Sequence, residues 1–65
     1  MFVVKFKMMG ETVYLGWNKE HEEYNLTQQR DEVLVFDSEQ EAAATFLTAV
    51  SQGYIPDTGV VEEAD

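Results

Sequence analysis

With 65 residues there is room for one domain, and a chain this short buries too little of its surface to be strongly stable alone. An apolar share of 45% with 12% aromatics is too rich for a disordered chain, and the lack of cysteine excludes disulfides and thiolate metal sites. Thirteen acidic residues against four basic give a net charge of −9, which makes nucleic acid and anionic membrane poor partners and a basic protein surface a good one.

The N-terminus has no basic segment ahead of an apolar one, so a secretory signal is not expected. No run approaches membrane-spanning length, and cysteine-free composition fits a reducing compartment. The expected location is the cytoplasm. Phe2–Met8 reads as a strand, with Phe2, Val4, Phe6 and Met8 on one side and Val3, Lys5 and Lys7 on the other. Met9-Gly10-Glu11 supplies a tight turn, Gly10 being free to take positive φ. Residues 12–17 form the second strand of a hairpin, with Val13, Leu15 and Trp17 on one side and Thr12, Tyr14 and Gly16 on the other. Residues 18–23 form a charged loop. Residues 24–27 read as a short third strand, 28–32 as a polar turn, and the apolar run 33–36 as a fourth strand. Connections this short favour a meander, each strand pairing with its neighbour.

A helix follows over 39–52. Ser38 is its N-cap, with Glu41 three residues on in capping-box spacing. Glu39 and Glu41 sit in the first turn, where the helix dipole favours negative charge. Ala43, Phe46, Leu47 and Val50 form one apolar stripe. Gly53 stands at the position of a left-handed C′ residue, Tyr54 and Ile55 fold back on the last turn, and Pro56 ends the helix. Val60 and Val61 can add an edge pair. The expected architecture is α+β: an antiparallel sheet of three to four strands in a β-meander, followed by one helix on one face. Residues 1–61 form the domain and 62–65 an acidic solvated tail.

The strands offer more apolar surface than a stripe of four helical residues covers. The second face or an edge of the sheet is therefore expected to meet another protein, and a homodimer is the expected form.

Candidate chemistry is sparse. Asp57-Thr58-Gly59 matches the tripeptide of aspartic proteases, but those enzymes oppose two such carboxylates in large β lobes, so a turn is the better reading. His21 lies among glutamates, yet a metal needs three or four convergent ligands. No calcium loop, phosphate-binding glycine loop or nucleophile elbow is present. Neither enzyme activity, nor a metal, nor a cofactor is expected.

The acids fall in groups at Glu20/Glu22/Glu23, Asp31/Glu32, Asp37/Glu39/Glu41 and Glu62/Glu63/Asp65. They are unevenly placed: residues 1–19 carry a net +2, whereas residues 20–65 carry twelve acids against Arg30 alone, a net −11. Solvated surface is one reading of these groups. The other is imitation of DNA phosphates, with carboxylates held on an ordered body to pair with the Lys and Arg side chains of a DNA-binding site. Aromatic side chains would anchor such a contact. Trp17 and Tyr24 flank the acidic loop and are the candidates, with cross-strand packing the competing role. The candidate partner-binding residues are Trp17, Glu20, Glu22, Glu23, Tyr24, Asp31 and Glu32.

A strand hairpin, then V-F-D-S-E-Q-E-A-A-A-T-F-L, in a tiny acidic cysteine-free chain, resembles small bacteriophage proteins that disable host enzymes. In layout it is similar to the dimeric uracil-DNA glycosylase inhibitors of Bacillus phages. That resemblance implies a stoichiometric DNA mimic that blocks the DNA site of a basic host protein, a repair or defence enzyme, with uracil-DNA glycosylase the first target. It implies a dimer whose pocket takes an apolar loop of the enzyme. The alternative is a small structural or regulatory interaction module whose acidity serves only solubility.

Overall fold

The structure is a computed structural model and describes residues 1–64. Four strands and one helix follow in the order β1 (Phe2–Met8), β2 (Glu11–Asn18), β3 (Glu23–Thr27), α1 (Glu39–Ser51) and β4 (Val60–Glu63). All strand pairs are antiparallel, and the sheet order is β3-β2-β1-β4. The first three strands make the expected meander. The fourth departs from it, because the chain crosses one face as α1 and returns beside β1, pairing Val4 with Val61 and Phe2 with Glu63. The edge pair expected at Val60 and Val61 thus becomes a full strand. It takes in Glu62 and Glu63, which were expected in a solvated tail; Asp65 lies outside the described residues.

The β1–β2 turn has only two residues between the strands, Met9 and Gly10, with φ of +51° and +84°. Two positive values are the signature of the type I′ turn, whose twist matches that of the strands it joins. Glycine takes this conformation freely, whereas a methionine in the left-handed region is strained.

Residues 33–36 do not form a regular strand. Val33 bridges Gly16 of β2, and Phe36 bridges Phe2 of β1. The β1–β2 register stops at Lys5↔Tyr14, so the two strands part beyond it, and this segment closes the fork between them. The Trp17 N–H donates to the Glu32 carbonyl at 3.0 Å, and the Leu34 N–H to Leu15 at 3.0 Å. Phe2 and Phe36 exchange two bonds of 2.8 Å. Backbone groups that a β1–β2 ladder would have satisfied are satisfied by a third segment instead. The alternation read from sequence survives: Leu34 and Phe36 pack against the core, and Val33 and Val35 take the other side.

The crossing requires glycine at position 16. A Cβ there would lie 2.5 Å from Thr27 Cγ2 and 2.7 Å from the Glu32 carbonyl oxygen. It would also crowd Asn25 Oδ1, a buried oxygen without a hydrogen-bond partner.

The helix begins and ends as its sequence dictates. Ser38 Oγ accepts from the Glu41 N–H at 3.1 Å. Among the described residues Glu41 makes no return bond, so half of the capping box forms. At the other end, the Gly53 N–H donates to Val50 and the Tyr54 N–H to Ala49, the two bonds of a Schellman ending, with Gly53 at φ +82°. The buried stripe is not the expected one. Ala42 and Ala49 face the sheet fully buried, flanked by Phe46 and Val50, whereas Leu47 is 64% exposed. Small residues at the contact let the helix approach β1 and β4 closely. Phe46 then meets Phe6 edge to face at 5.8 Å. Val4, Phe6, Leu15 and Ile55 complete the core; each large side chain buried in this way contributes roughly 1.5–3 kcal/mol.

Two substitutions test these features. Gly16→Ala should destabilise the fold by about 3 kcal/mol, a fall of roughly 15 °C or more in midpoint by thermal circular dichroism. Met9→Asn should relieve turn strain and stabilise by up to about 1 kcal/mol, read from denaturant midpoints. An unchanged midpoint in either variant contradicts the corresponding geometry.

Candidate partner-binding site

The loop joining β2 to β3 is shaped by the last residue of β2. Asn18 Oδ1 accepts from the Glu20 N–H at 2.9 Å and the His21 N–H at 3.1 Å. This turns the chain sharply and leaves Glu20, His21 and Glu22 exposed. Glu22 closes the turn at φ +52°, and Glu23 begins β3 opposite Asn18.

The second acidic group arrives by the crossing. Thr27, buried at the end of β3, donates its hydroxyl to Glu32 Oε1 at 2.8 Å and accepts from the Gln29 N–H at 2.9 Å. The Glu32 N–H returns to the Gln29 carbonyl. Glu32 is therefore a strut of the 28–32 turn as well as an acid. That turn brings Asp31 and Glu32 beside the first loop, so that Trp17, Lys19, Glu20, Asp31 and Glu32 line one polar cleft of about 310 Å³. Four of the seven expected partner-binding residues thus converge. Glu22, Glu23 and Tyr24 lie outside the cleft.

Trp17 and Tyr24 face each other across β2 and β3 at 5.0 Å, edge to face. Tyr24 in turn meets Tyr54 at 6.3 Å. Tyr54, which sequence reasoning placed only against the last helical turn, is the third ring of this cluster; its position just after Gly53 was the available signal. The two candidate anchors are thus packed on one another, half-buried, with Trp17 also bordering the cleft.

The remaining acids join this end through topology. Phe36 pairs with Phe2, so α1 starts where β1 starts, and Glu63 pairs with Phe2 from the other side. Asp37, Glu39, Glu41 and Glu63 therefore stand at the same end of the sheet as the loop acids, while Glu62, one residue back on β4, turns its carboxylate to Lys5 in the middle of β1. Among the described residues only Glu11 and Asp57 lie toward the opposite, hairpin end. One ion pair forms among the described residues, Lys5 with Glu62 at 3.2 Å, so most of these carboxylates carry no protein counter-charge. The described residues contain no metal-ligand cluster and no helix long and apolar enough to cross a membrane. Asp57 and Thr58 lie exposed in a turn, with Gly59 set against the rings of Phe6 and Phe46. No protein-family model, curated protein or solved structure matches this chain.

A double-mutant cycle on Trp17→Ala and Tyr24→Ala should give a coupling of about 0.5–1.5 kcal/mol in unfolding free energy. Additive losses would mean that the two rings do not support one another.

Proposed function

We propose that this chain is a stoichiometric protein inhibitor that mimics DNA and occupies the DNA site of a basic DNA-processing protein in the cytoplasm of a host cell. The observation that carries this reading is the gathering of most of the described acidic residues at one end of the sheet. Sequence spacing alone leaves them in four separate groups.

The physical case has three parts. A field of one sign steers encounter with a positive cleft and raises the association rate. Carboxylates mounted on a bonded turn and a capped helix lose less conformational freedom on binding than those of a disordered tail. Carboxylates also offer Lys and Arg the charge-assisted hydrogen bonds that phosphates offer. The Trp17 edge beside the acidic cleft gives the contact an apolar component, which charge alone does not supply. The resemblance in layout to phage glycosylase inhibitors makes uracil-DNA glycosylase the first enzyme to test, followed by nucleases of host defence.

Immobilised protein should capture a DNA-binding enzyme from a host lysate, and DNA should compete for it. Raising the salt from low to moderate concentration should weaken the complex. Reversal of Glu20, Glu22 and Glu23 to Lys should cost at least about tenfold in affinity. Capture of a virion component, or binding indifferent to salt and DNA, would instead support an adaptor whose acid serves solubility.

A further inference from the structure

We propose that the groove on the sheet face away from α1 binds a small amphipathic carboxylate, a single anionic head on an apolar tail. Alternation and register build the groove. Val3 and Lys5 of β1 and Tyr14 of β2 turn away from the helix, and Tyr14 stands directly opposite Lys5. Val33 and Val35 reach the same face from the crossing segment, and Arg30 from the turn before it. Together they bound a volume of about 340 Å³. Apolar walls with a few polar groups, at this size, are the usual make-up of a small-molecule site. Val3 is 7% exposed although it lies outside the helix-side core, so the groove has a buried floor. Val35, at 54%, is its open rim.

Charge selects the ligand. The Lys5 ammonium is held by Glu62 at 3.2 Å, the one ion pair among the described residues. Glu63 pairs with Phe2 and turns to the helix side. The acids next to Arg30 in sequence are engaged elsewhere: Asp31 lines the cleft beside Trp17, and Glu32 accepts from Thr27. Arg30 thus has no carboxylate partner, in a molecule of thirteen acids. Its planar fork suits a carboxylate, which it holds through two parallel hydrogen bonds.

The net charge of −9 narrows the choice further. Repulsion grows with the charge of the ligand, so nucleic acid, polyphosphates and an anionic bilayer are disfavoured where one carboxylate is tolerated. The three valines and the Tyr14 ring take up the tail. The groove lies apart from the acidic cleft, and its ligand does not depend on what the acidic end binds.

Amide shifts of the isotope-labelled full chain, titrated with decanoate below its micelle concentration, test the proposal. Binding should saturate with a dissociation constant on the order of 0.1–1 mM. The largest shifts should fall on Val3, Tyr14, Arg30, Val33 and Val35. Hexanoate, which lays fewer methylenes on the valines, should bind at least about tenfold more weakly, and acetate and inorganic phosphate should not bind in this range. Arg30→Gln should weaken decanoate at least about tenfold, Arg30→Lys should fall between it and wild type, and Val35→Glu should abolish binding. Arg30 and Val35 are exposed, and circular dichroism should show each variant folded. Shifts that do not saturate, or that centre elsewhere, overturn the proposal. So does an Arg30→Gln affinity equal to wild type, which would mean apolar adsorption, or phosphate binding as tightly as decanoate, which would mean a plain anion site.

Discussion

The arrangement of this molecule depends on one crossing, where the backbone of Glu32 and Val33 passes against Gly16. Without a side chain at that position, β2 accepts a third segment on the edge that β1 has left. The same segment then reaches β1 at Phe2, and four backbone bonds tie the two strands through it. Three consequences follow. The 28–32 turn is drawn beside the β2–β3 loop, the helix is launched from the end where β1 begins, and Val33 and Val35 are delivered to the face the helix does not cover.

The crossing thereby separates two kinds of surface. Acidic groups distant in sequence come together at one end, where the helix dipole and the exposed loop both tolerate negative charge. The cations, few as they are, fall largely on the opposite sheet face beside the valines. The interior is closed by small residues as much as by large ones. Ala42 and Ala49 let the helix sit close, and the Phe6–Phe46 pair fills the space that remains. A domain this small has little stability to spare, so strain at Met9 and an unpaired oxygen at Asn25 weigh more here than they would in a larger protein.

Features that depend on neighbours in sequence were legible. β1 shows in its alternation, the hairpin in its short turn, and the helix ends in Ser38 and Gly53. Features that depend on approach in space were not. Residues 33–36 have the composition and alternation of a strand, and nothing local distinguishes a ladder from two single bridges to different partners. The helical stripe was drawn through its larger side chains, but the face that touches the sheet is chosen by where the backbone comes closest, which favours Ala42 and Ala49 over Ala43 and Leu47. Trp17 and Tyr24 stand on either side of the loop, and the cross-strand packing that competes with an anchoring role is formed; Tyr54, the third ring, has no local signal for this contact because it arrives from beyond the helix. Of the acids, Glu20 could be placed from the loop alone, whereas its meeting with Asp31 and Glu32 requires the crossing.

Amide hydrogen exchange measured residue by residue tests this account most directly. The amides of Trp17, Leu34, Phe2 and Phe36, which make the bonds of the crossing, should exchange as slowly as those of Phe6 and Leu15 in the core, opening only with the whole fold. Rapid exchange at Leu34 and Phe36, with the core strands still protected, would show that the segment is a loose loop. The convergence of the acidic groups would then have no structural basis.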